Sequence, residues 1–369
     1  MPSLKIGDLV VRLPIIQGGM SVGISLSGLV SAVANEGGVG VIGAAGIGML
    51  ETDIGTNYKE ANQRALRNEI RKARKMSKGV IGVNLMVALS DYDELLLTSI
   101  EEGIDVLFVG AGLPLKFPKV LVEEGMDTIK TKFMVIVSSG RAAKIIFDYW
   151  AKHYNRVPDG VVVEGPLAGG HLGFKKEQID DPMFSLDKLL LDVISTVRRF
   201  EQSFGMKIPV IAAGGIYTGY DIYKYMKMGA SGVQMATRFV ATHECDADVA
   251  FKQMYVNCKQ EDLIIIDSPL GLPGRAIRNK FLDDVAKGIK KPFRCFWKCL
   301  KPCDYHKAPY CIAFALANAK MGRMDYGFAF AGANAYKVDK IVSVKELLSS
   351  LVAEYVEAQC DDGHADSDE

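Results

Sequence analysis

Short runs of apolar residues, many of them β-branched, alternate along most of the chain with longer segments whose apolar residues fall on one side of a helix. Such runs are typical of strands buried on both faces of a parallel sheet, and such segments are typical of the helices that cover it. The predicted strands are residues 13–17, 39–43, 80–85, 106–109, 133–137, 160–164, 209–213 and 232–236, and the predicted helices between them are residues 29–35, 58–76, 91–102, 119–124, 142–153, 185–204 and 219–228. Eight alternations with right-handed crossovers predict an α/β fold, a closed (β/α)8 TIM barrel, although an open doubly wound sheet produces the same alternation.

The alternation ends near residue 260, so we expect three regions. These are a barrel over residues 1–260, a cysteine-containing C-terminal extension over residues 261–358 that covers the barrel mouth, and an acidic, disordered tail over residues 359–369. Further elements predicted from the pattern are a closing helix over 245–258, a Gly/Pro-rich loop over 264–279, and helices over 312–321 and 344–356.

Composition narrows the class of protein. Of the 369 residues, 49% are hydrophobic, which is enough to bury one large core, so one domain with additions is expected. Basic and acidic residues number 44 each, so no net charge would attract nucleic acid or an anionic membrane, and a small-molecule substrate is the expected partner. Because the sequence shows no secretion signal and no apolar run near the roughly 18 residues that span a bilayer, we expect a soluble, cytoplasmic protein with reduced thiols. Whether it forms a homo-oligomer stays open.

One histidine follows the strand of three consecutive valines at residues 161–163, after a run of small residues. Enzymes with parallel barrels carry their chemistry at the carboxyl ends of the strands, so His171 is the predicted catalytic residue. The alternative is a structural histidine that caps its own turn, but the neighbouring Gly169, Gly170 and Gly173 offer its side chain little packing.

Small residues also follow the last two predicted strands. Gly214 and Gly215 come after strand seven, and Ala236 and Thr237 come after strand eight, where barrels commonly bind phosphate through backbone N–H groups. The alternative is that these residues only form tight turns. Because no G-x-G-x-x-G fingerprint follows an early strand, the phosphate of a mononucleotide is favoured over a dinucleotide.

Four segments, residues 16–20, 82–86, 164–171 and 208–216, resemble the flavin-binding segments of nitronate monooxygenases and of their relatives, the FMN-dependent enoyl-acyl-carrier-protein reductases. The resemblance extends from about residue 10 to about residue 280, and the ordered set is more specific than any single glycine pair. It implies an FMN-binding (β/α)8 barrel.

Carried over residue by residue, the resemblance implies a set of FMN contacts. Gly18, Gly19 and Met20 would lie along the isoalloxazine, and Asn84 would hydrogen-bond the flavin. Gly169 and Gly170 would lie near the ring, with His171 over its reactive face. The phosphate end would be held by Gly214, Gly215, Gln234 and Thr237. A flat ring requires backbone without Cβ atoms, and a phosphate requires N–H donors. The chain departs from the family pattern at Ala236, where glycine is usual and where a methyl group requires a negative φ.

Three further polar residues each have two interpretations. Glu164 is either a catalytic acid or, as we favour, a strand-end acceptor or flavin partner. Arg275 either meets a substrate anion or the phosphate of a nicotinamide cofactor, or is a solvated loop arginine. Asn334 either contacts flavin or substrate or occupies a turn within residues 326–336, a segment that is expected to close over the barrel mouth.

Four of the seven cysteines, Cys295, Cys299, Cys303 and Cys311, have the spacing C-x3-C-x3-C-x7-C. Four thiols this close in sequence could bind an iron–sulfur cluster or zinc. The usual C-x2-C pair is missing and Pro302 interrupts a helix here, so buried or surface thiols without metal remain equally compatible with the sequence.

Three functions follow as hypotheses. The first is oxidation of alkyl nitronates with O2 through FMN, in which His171 acts as a base or stabilises the anion. The second is an NAD(P)H-dependent FMN reductase of enoyl thioesters or quinones, in which His171 positions the thioester carbonyl or assists protonation. The third is a protein that holds flavin or a metal cluster without turnover.

Overall fold

The fold is a parallel barrel surrounded by helices in the computed structural model, which describes residues 1–365. The strands are β1 Leu4–Ile6, β2 Leu9–Val11, β3 Ile15–Gln17, β4 Gly40–Gly43, β5 Ile81–Met86, β6 Val106–Gly110, β7 Lys132–Val137, β8 Gly160–Glu164, β9 Gly170–His171, β10 Val210–Ala213, β11 Gly232–Met235, β12 Leu263–Asp267 and β13 Pro273–Ile277. The helices are α1 Ser27–Asn35, α2 Tyr58–Met76, α3 Tyr92–Glu101, α4 Lys119–Glu124, α5 Gly140–Tyr154, α6 Leu186–Phe204, α7 Gly219–Lys227, α8 Thr237–Val240, α9 Val249–Val256, α10 Lys280–Ala286, α11 Ile312–Lys320 and α12 Val344–Ala365.

Eight of these strands form one parallel sheet in the order β3-β11-β10-β8-β7-β6-β5-β4. The two end strands meet through the parallel bridges Ile16↔Val39 and Met20↔Ile42, which complete the circle. The predicted barrel is therefore confirmed, and the open doubly wound sheet is excluded.

The three valines of β8 explain why barrel strands are apolar throughout. Val162 packs inside the barrel, whereas Val161 and Val163 pack outward in the core between the sheet and the helices. Successive side chains point to opposite faces of a strand, so both faces must be apolar when both are buried.

A hairpin closes the amino-terminal end of the barrel. Strands β1 and β2 pair antiparallel, and their side chains Leu4, Ile6 and Val11 join the same interior cluster as Ile16 and Val162. Because this end is filled with apolar side chains, the opposite end, where the strands terminate, is left for the functional site.

The region after the eighth barrel strand differs from the prediction. Residues 264–279, predicted to be a loop, contain the antiparallel hairpin β12–β13, and β13 also pairs with β9. The prediction was wrong because Pro273 stands at the first position of its strand, where a missing N–H group is tolerated. The closing helix is shorter than expected and begins only after Asp248, whose carboxylate caps the Ala250 N–H.

The last helix is longer than predicted. Helix α12 continues to Ala365, in place of the disordered tail expected from residue 359, and residues 366–369 lie outside the described residues. Asp362 accepts a hydrogen bond from the Tyr223 hydroxyl of α7 at 2.7 Å. This acidic segment thus remains helical because it packs along α7. No helix within residues 1–365 combines the length and the apolar character needed to cross a bilayer.

Gly40 is required where β4 packs against α1. A Cβ atom at this position would lie 2.0 Å from the carbonyl oxygen of Val30, which is backbone and cannot move aside. We expect Gly40→Ala to lower the free energy of unfolding by about 2–3 kcal/mol, as overpacking of a core does. Gly55→Ala is the matched control, because nothing lies within 4 Å of the added methyl group. Denaturant unfolding of both variants measures the difference, and equal stabilities would contradict this account.

Candidate active site at the barrel mouth

The loop after β3 lies close to side chains of β5 and β11 at the barrel mouth. A Cβ atom on Gly19 would lie 2.4 Å from the Cβ of Asn84, and one on Gly18 would lie 3.3 Å from the Cγ of Gln234. The Asn84 amide donates to the Phe108 carbonyl at 3.3 Å, and Met20 is joined to Ile42 by a bridge. Residue 19 must therefore be glycine, and the structure brings together at one edge of the barrel residues that were predicted from separate strands, namely Gly18, Gly19, Met20, Asn84 and Gln234.

Gly214 and Gly215 both have left-handed backbone conformations, with φ of 94° and 88°. Consecutive glycines in such a turn can form a concave nest of N–H groups that suits an anion. Asn334 donates a hydrogen bond from Nδ2 to the Gly215 carbonyl at 2.5 Å, so it fixes this loop instead of occupying an isolated turn. Ala236 has φ of −125°, which accommodates its methyl group without strain, and Thr237 then begins α8.

The segment Gly169–His171 lies under the C-terminal extension. A Cβ atom on Gly169 would lie 2.5 Å from the carbonyl carbon of Ala331, so only glycine allows this contact. Gly170 has φ of 79°, and no atom lies within 4 Å of the position that a Cβ would take. The backbone therefore contacts the extension at Gly169 and borders open space at Gly170.

His171 is held by two contacts. Its Nε2 lies 2.6 Å from the Oγ of Ser268, and its ring packs edge-on against Phe330 with centroids 5.1 Å apart. Burial lowers the pKa of His171 to about 4, so the imidazole is neutral at neutral pH. Among residues 1–365 its Nδ1 has no hydrogen-bond partner.

Glu164, at the carboxyl end of β8, is the second titratable group of the mouth. Burial raises its pKa to about 7, and no hydrogen-bond donor or cation in the described chain offsets that effect. A carboxyl group in this environment is about half protonated at neutral pH. Just below neutral pH, His171 and Glu164 are therefore both largely uncharged.

Arg275 is not a solvated loop residue. Its Nη1 donates to the carbonyl oxygens of Pro166 and Ala168, at 2.7 Å each, and its side chain is buried. The guanidinium group therefore anchors the loop that precedes Gly169. Strand pairing of Arg275 with Gly170 adds a backbone connection between the same two segments.

The family model for nitronate monooxygenase matches residues 3–354. The chain belongs to the nitronate monooxygenase family. A probable nitronate monooxygenase from Staphylococcus aureus is 28% identical over 306 residues, which cover 76% of this chain and 79% of the relative.

Two solved structures show the same fold. FabK from Thermotoga maritima has a TM-score of 0.73 and 26% identity, with 95% of both chains covered. A nitroalkane oxidase from Streptomyces ansochromogenes has a TM-score of 0.71 and 21% identity, with 95% of this chain and 98% of that chain covered. Members of the nitronate monooxygenase family are FMN-dependent oxidoreductases, and this chain is an enzyme of that kind.

The mouth fits FMN, as expected for a nitronate monooxygenase family member. Gly18 and Gly19, which follow β3, leave backbone without Cβ atoms, Gly170 borders open space, and the turn at Gly214 and Gly215 is of a kind that can present N–H groups to an anion. These are the surfaces that a flat ring and a phosphate require.

Ser268 and Phe330 are site residues that sequence analysis missed. Ser268 lies 97 residues from His171 along the chain, in a segment that was predicted to be a plain loop. No local pattern marks either residue, because both meet His171 only through the folding of the hairpin and the extension over the mouth.

The four cysteines lie in a segment that docks on the loop after β5. Ser90 donates from its N–H group to the Cys299 carbonyl at 3.1 Å, and Lys301 donates from its N–H group to the Ala88 carbonyl at 2.8 Å. Within residues 1–365, no three His, Cys, Asp or Glu side chains are arranged to hold a single metal ion. This arrangement does not support the zinc alternative.

Arg275→Met should destabilise the mouth, because it leaves two carbonyl oxygens buried without donors. We expect the free energy of unfolding to fall by about 2–4 kcal/mol. Arg278→Met, three residues further on, is the control, since Arg278 is exposed and pairs with Asp283. Its effect should stay within about 0.5 kcal/mol. Chemical denaturation of the two variants tests this, and a neutral Arg275→Met would show that the anchor is dispensable.

Proposed function

We propose that the chain oxidises alkyl nitronates with O2 at the barrel mouth. The observation that carries this proposal is the half-buried imidazole of His171, whose lowered pKa keeps it neutral and whose Nδ1 has no hydrogen-bond partner among residues 1–365. Bound FMN would supply the redox chemistry by taking electrons from the substrate and passing them to O2. The protein's part is to bind, orient and hydrogen-bond the substrate.

We assign the cofactor contacts to the residues gathered at the mouth. Gly18, Gly19, Met20, Asn84, Gly169 and Gly170 would border the flavin ring, Glu164 would stand near its edge, and Gly214, Gly215, Gln234, Ala236 and Thr237 would surround the phosphate. The close approach of Gly19 to Asn84 and the nest at Gly214 and Gly215 support this assignment.

The low pKa of His171 favours a nitronate over a nitroalkane as substrate. A base with a pKa of about 4 is too weak to remove a proton efficiently from carbon near neutral pH. A nitronate is already an anion and needs only a hydrogen-bond donor. Ser268 Oγ accepts from the Leu270 N–H group, so its own proton can go to Nε2, which leaves Nδ1–H to donate to a nitronate oxygen.

An NAD(P)H-dependent FMN reductase of enoyl thioesters or quinones is the second candidate. The likeness to FabK, at 26% identity over 95% of both chains, supports it. In that case Nδ1–H of His171 would donate to the thioester carbonyl. The arginine considered for binding a nicotinamide phosphate, Arg275, instead anchors the loop that precedes Gly169.

Anaerobic mixing separates the two functions. We expect ethylnitronate to bleach the flavin absorbance of the wild type at turnover rates, and His171→Ala to slow bleaching by about 10²- to 10³-fold, the effect of removing one hydrogen-bond donor, while retaining FMN. His153→Ala is the control, because His153 stacks on Tyr149 at the end of α5. Rapid bleaching by NADH with none by ethylnitronate would support the reductase instead.

Glu164 should set the pH dependence of the reaction. Above its pKa of about 7 the carboxylate repels an anionic nitronate, so kcat/KM should fall as pH rises through this value. His171 stays neutral throughout and should add no inflection near about 6.5, the ordinary histidine value. Glu164→Gln should abolish the fall between about pH 6 and 8, whereas a profile unchanged by that substitution would assign the inflection to another group.

A further inference from the structure

The four cysteines of the extension form one cluster over the barrel mouth. Cys299 lies close enough to Cys311, Cys295 and Cys303 for their charges to act on it. Cys303 and Cys311 each lie within similar reach of Cys295, and Cys311 also of Cys303. All four sulfur atoms are therefore within electrostatic reach of one another, although Pro302 prevents a single helix from carrying them.

A backbone N–H group points at one of these sulfur atoms. The Lys298 N–H group donates to Cys295 Sγ at 3.4 Å, and Lys298 adopts a left-handed conformation with φ of 43°, which is uncommon for a residue with a side chain. Cys311 stands at the amino terminus of α11, although its sulfur makes no capping hydrogen bond there. A donor such as the Lys298 N–H group favours a thiolate ligand over a thiol.

Tyr58 adds a buried donor that has no partner. Its hydroxyl oxygen is inaccessible and makes no hydrogen bond within the described part of the chain. Burial is the largest cause of its raised pKa, and Asp91 and Cys299 also contribute. The hydroxyl therefore lies near Cys299. The ring stacks on Trp297 at 5.2 Å, so this contact also holds the cysteine segment on α2.

The charge of the segment suits an anionic group. Residues 290–311 contain six basic residues and one acidic residue; the basic residues are Lys290, Lys291, Arg294, Lys298, Lys301 and Lys307. Lys298 lies close enough to Cys303 to lower the pKa of that thiol, against the larger effect of burial. A cluster ligated by four thiolates carries net negative charge, which this environment would stabilise.

We propose that Cys295, Cys299, Cys303 and Cys311 bind a 4Fe–4S cluster through one thiolate at each iron. Each thiol loses its proton to solvent and forms an Fe–S bond to a preassembled cluster core, so no electron is gained or lost. A single zinc ion would need four sulfur atoms at about 2.3 Å from one point. The described residues offer no such arrangement, whereas the core of a 4Fe–4S cluster is larger and accepts more widely spaced thiolates.

The test is metal and sulfide analysis of the full chain purified without oxygen. We expect about four iron and four acid-labile sulfide per chain, and an electron paramagnetic resonance signal after dithionite reduction. Cys299→Ser and Cys311→Ser should lose most of the iron. Cys360→Ser, an exposed cysteine on α12, should retain it.

Retention of FMN and the circular dichroism spectrum report folding in every variant. If the serine variants do not fold, resonance Raman detection of Fe–S(Cys) stretching in the wild type still shows whether cysteines ligate the cluster. Stoichiometric zinc, a disulfide found by thiol counting, or protein that stays free of iron after reconstitution with Fe²⁺ and sulfide would each overturn the proposal. The outcome is independent of nitronate turnover, so the two proposals can fail separately.

Discussion

The buried guanidinium of Arg275 connects the two parts of the molecule on which the site depends. It donates to two carbonyl groups of the loop after β8, and its own strand pairs with Gly170 and His171. The barrel supplies the glycine-lined mouth, but His171, the proposed catalytic residue, takes its position from a hairpin that lies outside the barrel. Ser268, which faces His171, comes from the same hairpin.

Burial then determines what the mouth can do chemically. The same loss of solvent that lowers the pKa of His171 raises that of Glu164, because both groups lose hydration of their charged forms. The result is a mouth whose histidine is uncharged and whose carboxyl is largely uncharged below about pH 7. Such a site suits an anionic substrate that needs hydrogen bonds more than it needs a base.

The extension has two roles in the structure. Its segment around Ala331 and Gly332 presses on Gly169 and meets the Thr237 hydroxyl, and Asn334 fixes the Gly215 loop. Its cysteine segment lies further along the mouth, on the loop that follows the strand of Asn84. A cluster bound there would share the carboxyl face of the barrel with the flavin.

Sequence alone determined the barrel, the family and the candidate residues at the strand ends, because strand burial imposes apolar runs such as Val161–Val163 and flavin loops require glycine at recurring places. It did not reveal the hairpin, in which Pro273 and Gly271 resemble loop residues. The role of Arg275, the Ser268 partner of His171 and the pKa values of the mouth were decided only by tertiary structure. Each depends on contacts between segments far apart in the chain, and on the exclusion of water that those contacts produce, neither of which leaves a local pattern.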